Sequence, residues 1–542
     1  MPASPAIPGL LPFLLPAFAA TLGIALGAGL TPGCGGCAIS REAMRAFLAG
    51  CPCQPGEADD GADTSGLAAD DGCGRSLEIM QRGCECGVAP PDDPDTGNSS
   101  TGDDTGAVCD GDTPVTLYLS ADDSNSMSSP VQVRAAAFSF GGSIAAVPVR
   151  PWEFFNYYEF DYPPAPAGDV AVTAELAAIP GTNGSYMLQI GVSSPAIAAT
   201  QRPPVNLTFV LDTSGSMKGT PLEHMKDVCK AVAAALRPGD VVSVVTWSDT
   251  NTVVLAKHAV TGADDPALLD AIAALAASGG TDLHAGLTAG YALAGEAAQP
   301  GVISRVILVS DGGANLGETS VPVIADAAAA ENDGGIYMVG VGVGTPATYN
   351  DTLMDRVTDA GKGASVFIPE TSEATRVFHD RFVNTMMIAA RDVQVQLDLP
   401  PGFVIERFSG EEFSADPSQV EPQHLAPNDA MVFHQRISTC APEMVTAGST
   451  VTVTARYLDA ATLAPRAASI TRSFAELTAE PAPRLHKGAA LVAYVDALTA
   501  LRVDDAAAPM LVEAADLAIA DALVSLPNDA ALMEWKNILE QL

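Results

Sequence analysis

A regular alternation of strand and helix patterns between residues 204 and 390 most constrains the fold of this 542-residue chain. Short apolar runs typical of buried strands alternate with longer stretches whose apolar residues recur at helical spacing. This alternation predicts an α/β domain, with a doubly wound, mostly parallel sheet and helices on both faces. The predicted strands are Asn206–Leu211, Val241–Trp247, Thr252–Ala256, Val302–Ser310, Ile336–Val343 and Ser365–Ile368. The predicted helices are Pro221–Leu236, Pro266–Ala276, Leu283–Ala297, Val321–Glu331, Asp351–Asp359 and Ser372–Ile388.

The first of these helices carries its own start signal. Thr220 and Glu223 fit a capping box, with Pro221 at the first helical position. Cys229 falls on the apolar face of the same helix, which indicates a buried small residue and not a reactive thiol.

Strand patterns flank this domain on both sides. Before it, they cover Val115–Leu119, Val131–Phe138, Val170–Leu176 and Tyr186–Val192. After it, they cover Val393–Leu399, Val404–Phe408, Met431–Ile437, Thr450–Tyr457 and Ala468–Phe474. We expect one β-sandwich built from both flanks, because the first strand of a doubly wound domain starts, and its last helix ends, on the same side.

Two further stretches adjoin the sandwich. Seven aromatic residues occur between Trp152 and Tyr162. They fit a buried plug between domains, or alternatively a face on which a ligand stacks. The last part of the chain is rich in Ala and Leu and predicts a helical region, around Leu485–Leu501, Met510–Leu523 and Asp529–Leu542.

The N-terminal residues predict an export signal or anchor. The run from Ile7 to Thr31 carries no charge and is about as long as a membrane span, but its prolines disfavour a stable helix. Leu30-Thr31-Pro32-Gly33-Cys34 is similar to a bacterial lipoprotein cleavage box, which would make Cys34 the lipidated residue. Membrane attachment is expected only through this segment.

Cysteines and acidic residues mark the next two regions. Eight of the ten cysteines lie between Cys34 and Cys109, which favours a disulfide framework over a zinc site. Residues 89–112 are rich in Pro, Gly, Ser and Asp and predict a disordered linker. The predicted domains are 1–33 (export segment), 34–88 (Cys-rich), 89–112 (linker), 113–203 (first part of the sandwich), 204–390 (α/β domain), 391–478 (rest of the sandwich) and 479–542 (helical).

The charge of the chain excludes one class of function. Its formal net charge is −38 at pH 7. A surface this acidic argues against binding to nucleic acid or to an anionic membrane surface through charge.

One loop carries a concentration of oxygen ligands. Asp212-Thr213-Ser214-Gly215-Ser216 follows an apolar strand pattern and precedes a helix, so one carboxylate and two hydroxyls share a short loop. In open α/β sheets, ligands bind at the carboxyl ends of the strands. Two further loops should converge there, and they can supply the Thr281 hydroxyl and the Asp311 carboxylate. Such hard oxygens suit Mg²⁺, with Mn²⁺ or Ca²⁺ as alternatives.

These residues resemble the metal-ion-dependent adhesion site of von Willebrand factor type A (vWA) domains. The resemblance covers Val205 to Ile388, and it implies a metal site formed by Asp212, Ser214, Ser216, Thr281 and Asp311. Further out, Val149–Tyr158 is similar to a segment that precedes the vWA domain in proteins of the bacterial cell envelope. Ala390–Val395 resembles the strand that follows the domain in the same group.

The ligand set favours binding over catalysis. Mg²⁺ prefers six oxygens, and neutral hydroxyls with few carboxylates leave it short of negative charge. It would then bind an Asp or Glu of a protein partner. A second D-x-S-x-S sequence at Asp122–Ser126 lacks partner loops, and we interpret it as a turn.

The chain is not expected to be an enzyme. It contains no H-E-x-x-H, G-x-S-x-G or Walker A lysine motif, and no base partner is evident for Ser214 or Ser216. The leading interpretation is a metal-dependent adhesion or protein-binding module on the bacterial envelope. The alternative is a structural or assembly factor of an envelope complex, in which the metal mainly stabilises the fold.

Overall fold

The computed structural model of the chain describes residues 113–121, 125–139, 141–299, 301–312 and 335–542. Several predictions lie outside these residues, namely the export segment, the Cys-rich region, the linker and the helix Val321–Glu331. Within the described ranges, no helix combines the length and the apolar character needed to cross a membrane.

The part before the central domain contains both strands and helices. In chain order its elements are β1 (Val115–Ser120), α1 (Ser128–Ser139), α2 (Pro151–Tyr157), β2 (Ala171–Ala178) and β3 (Ser185–Ser193). The predicted strand Val131–Phe138 is wrong, because these residues belong to α1. Helix α1 is buried on most of its surface and therefore shows no amphipathic helical pattern. Its run of three alanines is the signal that favours a helix.

The central domain contains the predicted doubly wound sheet. Its strands are β4 (Val205–Asp212), β5 (Val241–Trp247), β6 (Asn251–Ala259), β7 (Ile303–Ser310), β8 (Tyr337–Val343) and β9 (Ser365–Ile368). They are ordered β6-β5-β4-β7-β8-β9, and β6 alone is antiparallel to its neighbour. Every residue of β4 is buried, and Asp212 is the last residue of this central strand.

The helices of the domain agree with the prediction except at two places. They are α3 (Thr220–Ala235), α4 (Pro266–Ala273), α5 (Leu283–Ala297), α6 (Asp351–Ala360), α7 (Thr371–Thr375) and α8 (Phe382–Met386). The predicted capping box at Thr220 is wrong, because Gly219 occupies the cap with a φ of 85° and makes no side-chain bond. The predicted helix Ser372–Ile388 is interrupted by a π-helical turn at Arg376–Asp380. Cys229 is buried, as predicted.

The flanking strands form two sheets. Each sheet contains strands from before and from after the central domain. The elements after it are β10 (Ala390–Leu399), β11 (Phe403–Phe408), β12 (Glu412–Ser414), β13 (Gln423–Leu425), β14 (Ala430–Thr439), β15 (Thr450–Asp459), β16 (Pro465–Ser473) and α9 (Phe474–Ala479). One sheet has the order β12-β1-β10-β15-β16, with β13 on β10, and the other has the order β11-β14-β3-β2. Strand β1 pairs with β10, and β3 pairs with β14, as the single-sandwich hypothesis requires.

The chain ends in three helices, α10 (Pro483–Arg502), α11 (Ala508–Ser525) and α12 (Ala530–Gln541). They share a hydrophobic core with α1, with the aromatic helix α2 and with one face of the central sheet. Tyr494 and Trp535 are fully buried there, and Tyr158 packs edge-on against Trp535 with ring centres 5.1 Å apart. The aromatic segment therefore packs as a plug, the first of its two predicted roles.

The sandwich lies against the side of the domain where its last helix ends. Asn384 at the end of α8 donates to the carbonyl of Asn428 at 3.2 Å, and the amide of Ala389 donates to the carbonyl of Leu425 at 2.8 Å. The carboxyl end of β4 is at the opposite edge of the sheet. This arrangement leaves the Asp212 loop away from the sandwich.

Candidate functional site

Asp212 lies at the centre of the site and is fully buried. One carboxylate oxygen, Oδ1, accepts a hydrogen bond from the amide of Ser214 at 2.8 Å. The other, Oδ2, accepts from the hydroxyl of Ser310 at 2.7 Å. Both donors are neutral groups. They therefore hold the carboxylate in place but do not neutralise its negative charge.

The two serines of the same loop hold their hydroxyls together. The Oγ atoms of Ser214 and Ser216 are 3.0 Å apart. Ser214 is fully buried, whereas Ser216 is exposed. The short 3₁₀ turn Gly215–Met217 brings the Ser216 hydroxyl back beside that of Ser214. The loop thus presents one hydroxyl in the interior and one at the surface.

A second loop packs directly on the first. The amide of Gly215 donates to the carbonyl of Gly279 at 3.0 Å, and that of Ser278 donates to the carbonyl of Thr213 at 2.7 Å. Thr281 follows on this loop and is 3% exposed. Gly279 has a φ of 86°, and a Cβ at this position would be 2.5 Å from an oxygen of Asp249. A glycine is therefore needed for this loop to adopt its conformation beside Asp249.

The third loop follows β7 and carries Asp311, which is half-buried. Its carbonyl accepts from the amide of Asn350 at 3.1 Å, at the start of α6. Ser310 accepts from the amide of Gly312 at 2.9 Å while donating to Asp212. The structure therefore places all five predicted residues on three neighbouring loops at one edge of the sheet. Thr281 is brought near through backbone bonds between the loops.

Burial dominates the electrostatics of Asp212. It raises the pKa of the carboxyl to about 6, and the negative charge of Asp311 acts in the same direction. The hydrogen bonds from Ser214 and Ser310 oppose this shift. Among the described residues, no lysine or arginine forms an ion pair with Asp212. A cation placed here would lower the energetic cost of the buried charge.

The side chains fit a hard divalent cation. The five residues offer carboxylate and hydroxyl oxygens, which Mg²⁺ prefers. Asp212, Ser214, Ser216, Thr281 and Asp311 would hold the ion, and it would supply a positive centre that attracts an anionic oxygen. Within the described parts of the chain, no three His, Cys, Asp or Glu side chains are grouped so that they alone could hold a metal. The site therefore depends on its hydroxyls.

The sequence interpretation missed two residues that shape the site. Ser310 donates to Asp212, and Asp249 accepts from the amide of Gly280 at 2.7 Å. Ser310 could have been found, because it ends an apolar strand just before Asp311. Asp249 has no such signal, since its role depends on how the second loop folds.

The second D-x-S-x-S sequence falls mostly outside the described residues, which include only Asn125 onward. Ser126, its last serine, is buried and donates to the carboxylate of Glu153. Its hydroxyl is therefore used within the helical packing around α2.

Comparison with known families agrees with the architecture. Residues 206–380 match the family model of the von Willebrand factor type A domain. The chain contains a vWA domain.

Chains similar to this one occur in bacteria and in animals. The uncharacterized protein YfbK of Escherichia coli strain K12 is 28% identical over 267 residues, which are 48% of this chain and 46% of YfbK. The protein sll0103 of Synechocystis is 27% identical over 214 residues, or 40% of this chain and 49% of sll0103. The chain thus spans about half the length of these two bacterial relatives.

An animal protein and a solved structure are also similar. Inter-alpha-trypsin inhibitor heavy chain H2 of Mus musculus is 27% identical over 202 residues, which are 35% of this chain and 21% of the heavy chain. The solved von Willebrand factor type A protein of Catenulispora acidiphila is 18% identical, with a TM-score of 0.44. The match covers 68% of this chain and 89% of that one.

Proposed function

We propose that the chain is a metal-dependent protein-binding module, in which a carboxylate from a protein partner completes the coordination of Mg²⁺. The observation that carries this proposal is Asp212, a fully buried carboxylate whose hydrogen-bond donors among the described residues are all neutral, with two serine hydroxyls beside it. The match of residues 206–380 to the vWA family model supports an interaction role. Mn²⁺ or Ca²⁺ could occupy the same oxygens.

The position of the site supports binding to a large partner. Ser216 is exposed, and the three loops lie at the edge of the sheet away from the sandwich. Within the described part of the chain, a partner side chain can reach an ion there without displacing any helix or strand. A chain with a net charge of −38 repels a partner carboxylate over most of its surface, so a bound cation would provide the local attraction for an Asp or Glu.

We further propose that the module acts on the bacterial cell envelope. The uncharged run Ile7 to Thr31 and the following Cys34 support this location. Cell fractionation would test it, and recovery of the full chain only in the cytosol would contradict it.

The central experiment compares the intact chain with Asp212→Asn. Titration calorimetry should detect Mg²⁺ binding to the unchanged chain and at least a tenfold weaker affinity for the variant, because a charge-assisted contact of about 1.5–3 kcal/mol is lost. Asp169→Asn, at an exposed ion pair in the sandwich, is the matched control and should bind Mg²⁺ normally.

Capture of partners from envelope extracts then distinguishes metal-dependent binding from a structural or assembly role. Partners recovered with Mg²⁺ and lost with EDTA or with Asp212→Asn would support metal-dependent binding. If metal removal lowers the melting temperature but leaves every partner bound, the structural or assembly role is correct instead.

A further inference from the structure

A cavity of about 90 Å³ lies where the sandwich meets the amino-terminal edge of the central sheet. Its wall includes Arg305 near the start of β7, Lys362 in the turn before β9, and His424 on β13. About 10–15 Å³ is enough to hold one water molecule. The cavity therefore has room for several waters or for one small ligand.

Arg305 is a buried cation in this wall. Its side chain is only 5% exposed, and Nη1 donates to the carbonyl of Ser304 at 3.0 Å. Its guanidinium lies 5.2 Å from the ring centre of Tyr337. Among the described residues, no carboxylate forms an ion pair with it. Burial and the charge of Arg391 lower the pKa of Arg305 to about 10, which shows that its surroundings disfavour the positive charge.

Two further cations add to this excess. Arg391 also lies 5.2 Å from the ring centre of Tyr337. Lys362 lines the cavity directly, and its ammonium lies 3.6 Å from Glu421 in a partly exposed ion pair. Such a concentration of positive charge is unexpected in a chain with a net charge of −38. A buried charge without a counter-ion is costly, so an anion would stabilise Arg305 above all.

His424 contributes a hydrogen-bond donor. Its Nδ1 accepts from the amide of Asp392 at 3.2 Å, so the proton of the neutral ring is on Nε2. Burial, together with the charges of Arg305, Arg391 and Lys362, lowers the pKa of His424 to about 3, and the ring is neutral. Nε2 is buried and has no hydrogen-bond acceptor among the described residues.

Much of the remaining cavity wall is apolar. Met127, Met338, Val366 and Met431 give it an apolar wall. Two carboxylates also line it, and each faces an arginine of its own. Glu373 is 2.5 Å from Arg134, and Asp429 is 3.9 Å from Arg381. Neither carboxylate is therefore the counter-ion of Arg305.

We propose that this cavity binds a small organic acid, whose acidic group accepts hydrogen bonds from Arg305 and from Nε2 of His424. The short apolar part of the ligand contacts Met338 and Val366. This site is separate from the metal site at the opposite edge of the sheet, and it does not depend on the function proposed above.

Thermal shift and titration calorimetry on the intact chain test the proposal, with acetate, butanoate, hexanoate and inorganic phosphate as probes. EDTA is present throughout, so that no divalent ion on Asp212 can bind a probe. At a hundredfold excess over Kd, a bound acid should raise the melting temperature by a few degrees or more. Butanoate or hexanoate should bind more tightly than acetate. A larger effect from phosphate would overturn the assignment to an organic acid.

Arg305→Met identifies the site. This variant should lose the shift, while its ligand-free melting temperature stays equal or rises, because a buried unpaired charge has been removed. Arg436→Met, at a half-exposed surface ion pair, is the matched control and should keep the shift. Lys362→Met, at a partly exposed position, should weaken binding about tenfold even if Arg305→Met fails to fold. The proposal would be overturned if no acid raised the melting temperature. It would also be overturned if both cavity variants showed the same rise as the unchanged chain.

Discussion

Two fully buried aspartates in the central domain, Asp240 and Asp212, differ in whether a positively charged side chain pairs with them. Asp240 accepts from the guanidinium of Arg202 at 2.5 Å and from the amides of Val205 and Arg237 at 3.0 and 2.9 Å. Its charge is balanced and every bond serves the fold. The donors to Asp212 among the described residues are neutral, so its charge is free to pair with the cation that we propose.

Replacing Asp240 tests the structural half of this contrast. Asp240→Ala should lower the free energy of unfolding by about 3–5 kcal/mol, because it leaves the buried Arg202 without a counter-ion. Urea denaturation measures the change. Glu296→Ala removes an exposed partner of Lys257 and should cost less than about 1 kcal/mol. Equal losses in the two variants would show that Asp240 is not a buried structural charge.

At the scale of elements, the aromatic helix α2 joins parts of the chain that are distant in sequence. Phe155 stacks on His434 of β14 with ring centres 5.9 Å apart, and Nδ1 of His434 pairs with Oε1 of Gln189 on β3 at 2.9 Å. Burial, with the charge of Arg407, lowers the pKa of His434 to about 3. The helix therefore packs on a neutral histidine.

This histidine makes the junction sensitive to acid. Its pKa in the fold lies below the unfolded value of about 6.5, so its contribution is full above that pH and decreases as the pH falls toward 3. Between about pH 7.5 and pH 5, the free energy of unfolding should drop by about 2 kcal/mol more in the unchanged chain than in His434→Gln. Urea denaturation at both pH values measures this. Identical drops would mean that His434 titrates normally in the fold.

At the scale of the whole molecule, the C-terminal helices complete the core of the vWA domain. One hydrophobic core includes Trp535 of α12, Tyr494 of α10 and Met338 of the central sheet. Trp535 stacks on Tyr494 with ring centres 5.7 Å apart. The predicted segment 479–542 is therefore packed into the same body as the central domain, although the second part of the sandwich lies between them in sequence.

Truncation of Trp535 tests this coupling. Trp535→Ala should cost about 3–5 kcal/mol and should also speed hydrogen exchange in β8, because the two elements share one core. Met533→Ala, on the half-exposed side of the same helix, should change neither quantity appreciably. Normal protection of β8 in a destabilised Trp535→Ala variant would show that the helices unfold independently.

The sequence by itself determined the class of the central domain and its candidate ligands. Strand β5, strand β9 and helix α5 begin and end where the periodicity placed them, since burial of one face imposes a fixed spacing on apolar residues. The five residues of the proposed metal site followed from a motif whose chemistry requires those side chains.

Only the tertiary structure decided how the remaining parts combine. Helix α1 is buried almost all round, so its sequence shows no helical face and was interpreted as a strand. The roles of Ser310 and Asp249, and the group of Arg305, Arg391 and His424, arise from residues distant in the chain. Local patterns reflect which side chains face the core, whereas the partners they meet depend on how the sheets and helices are assembled.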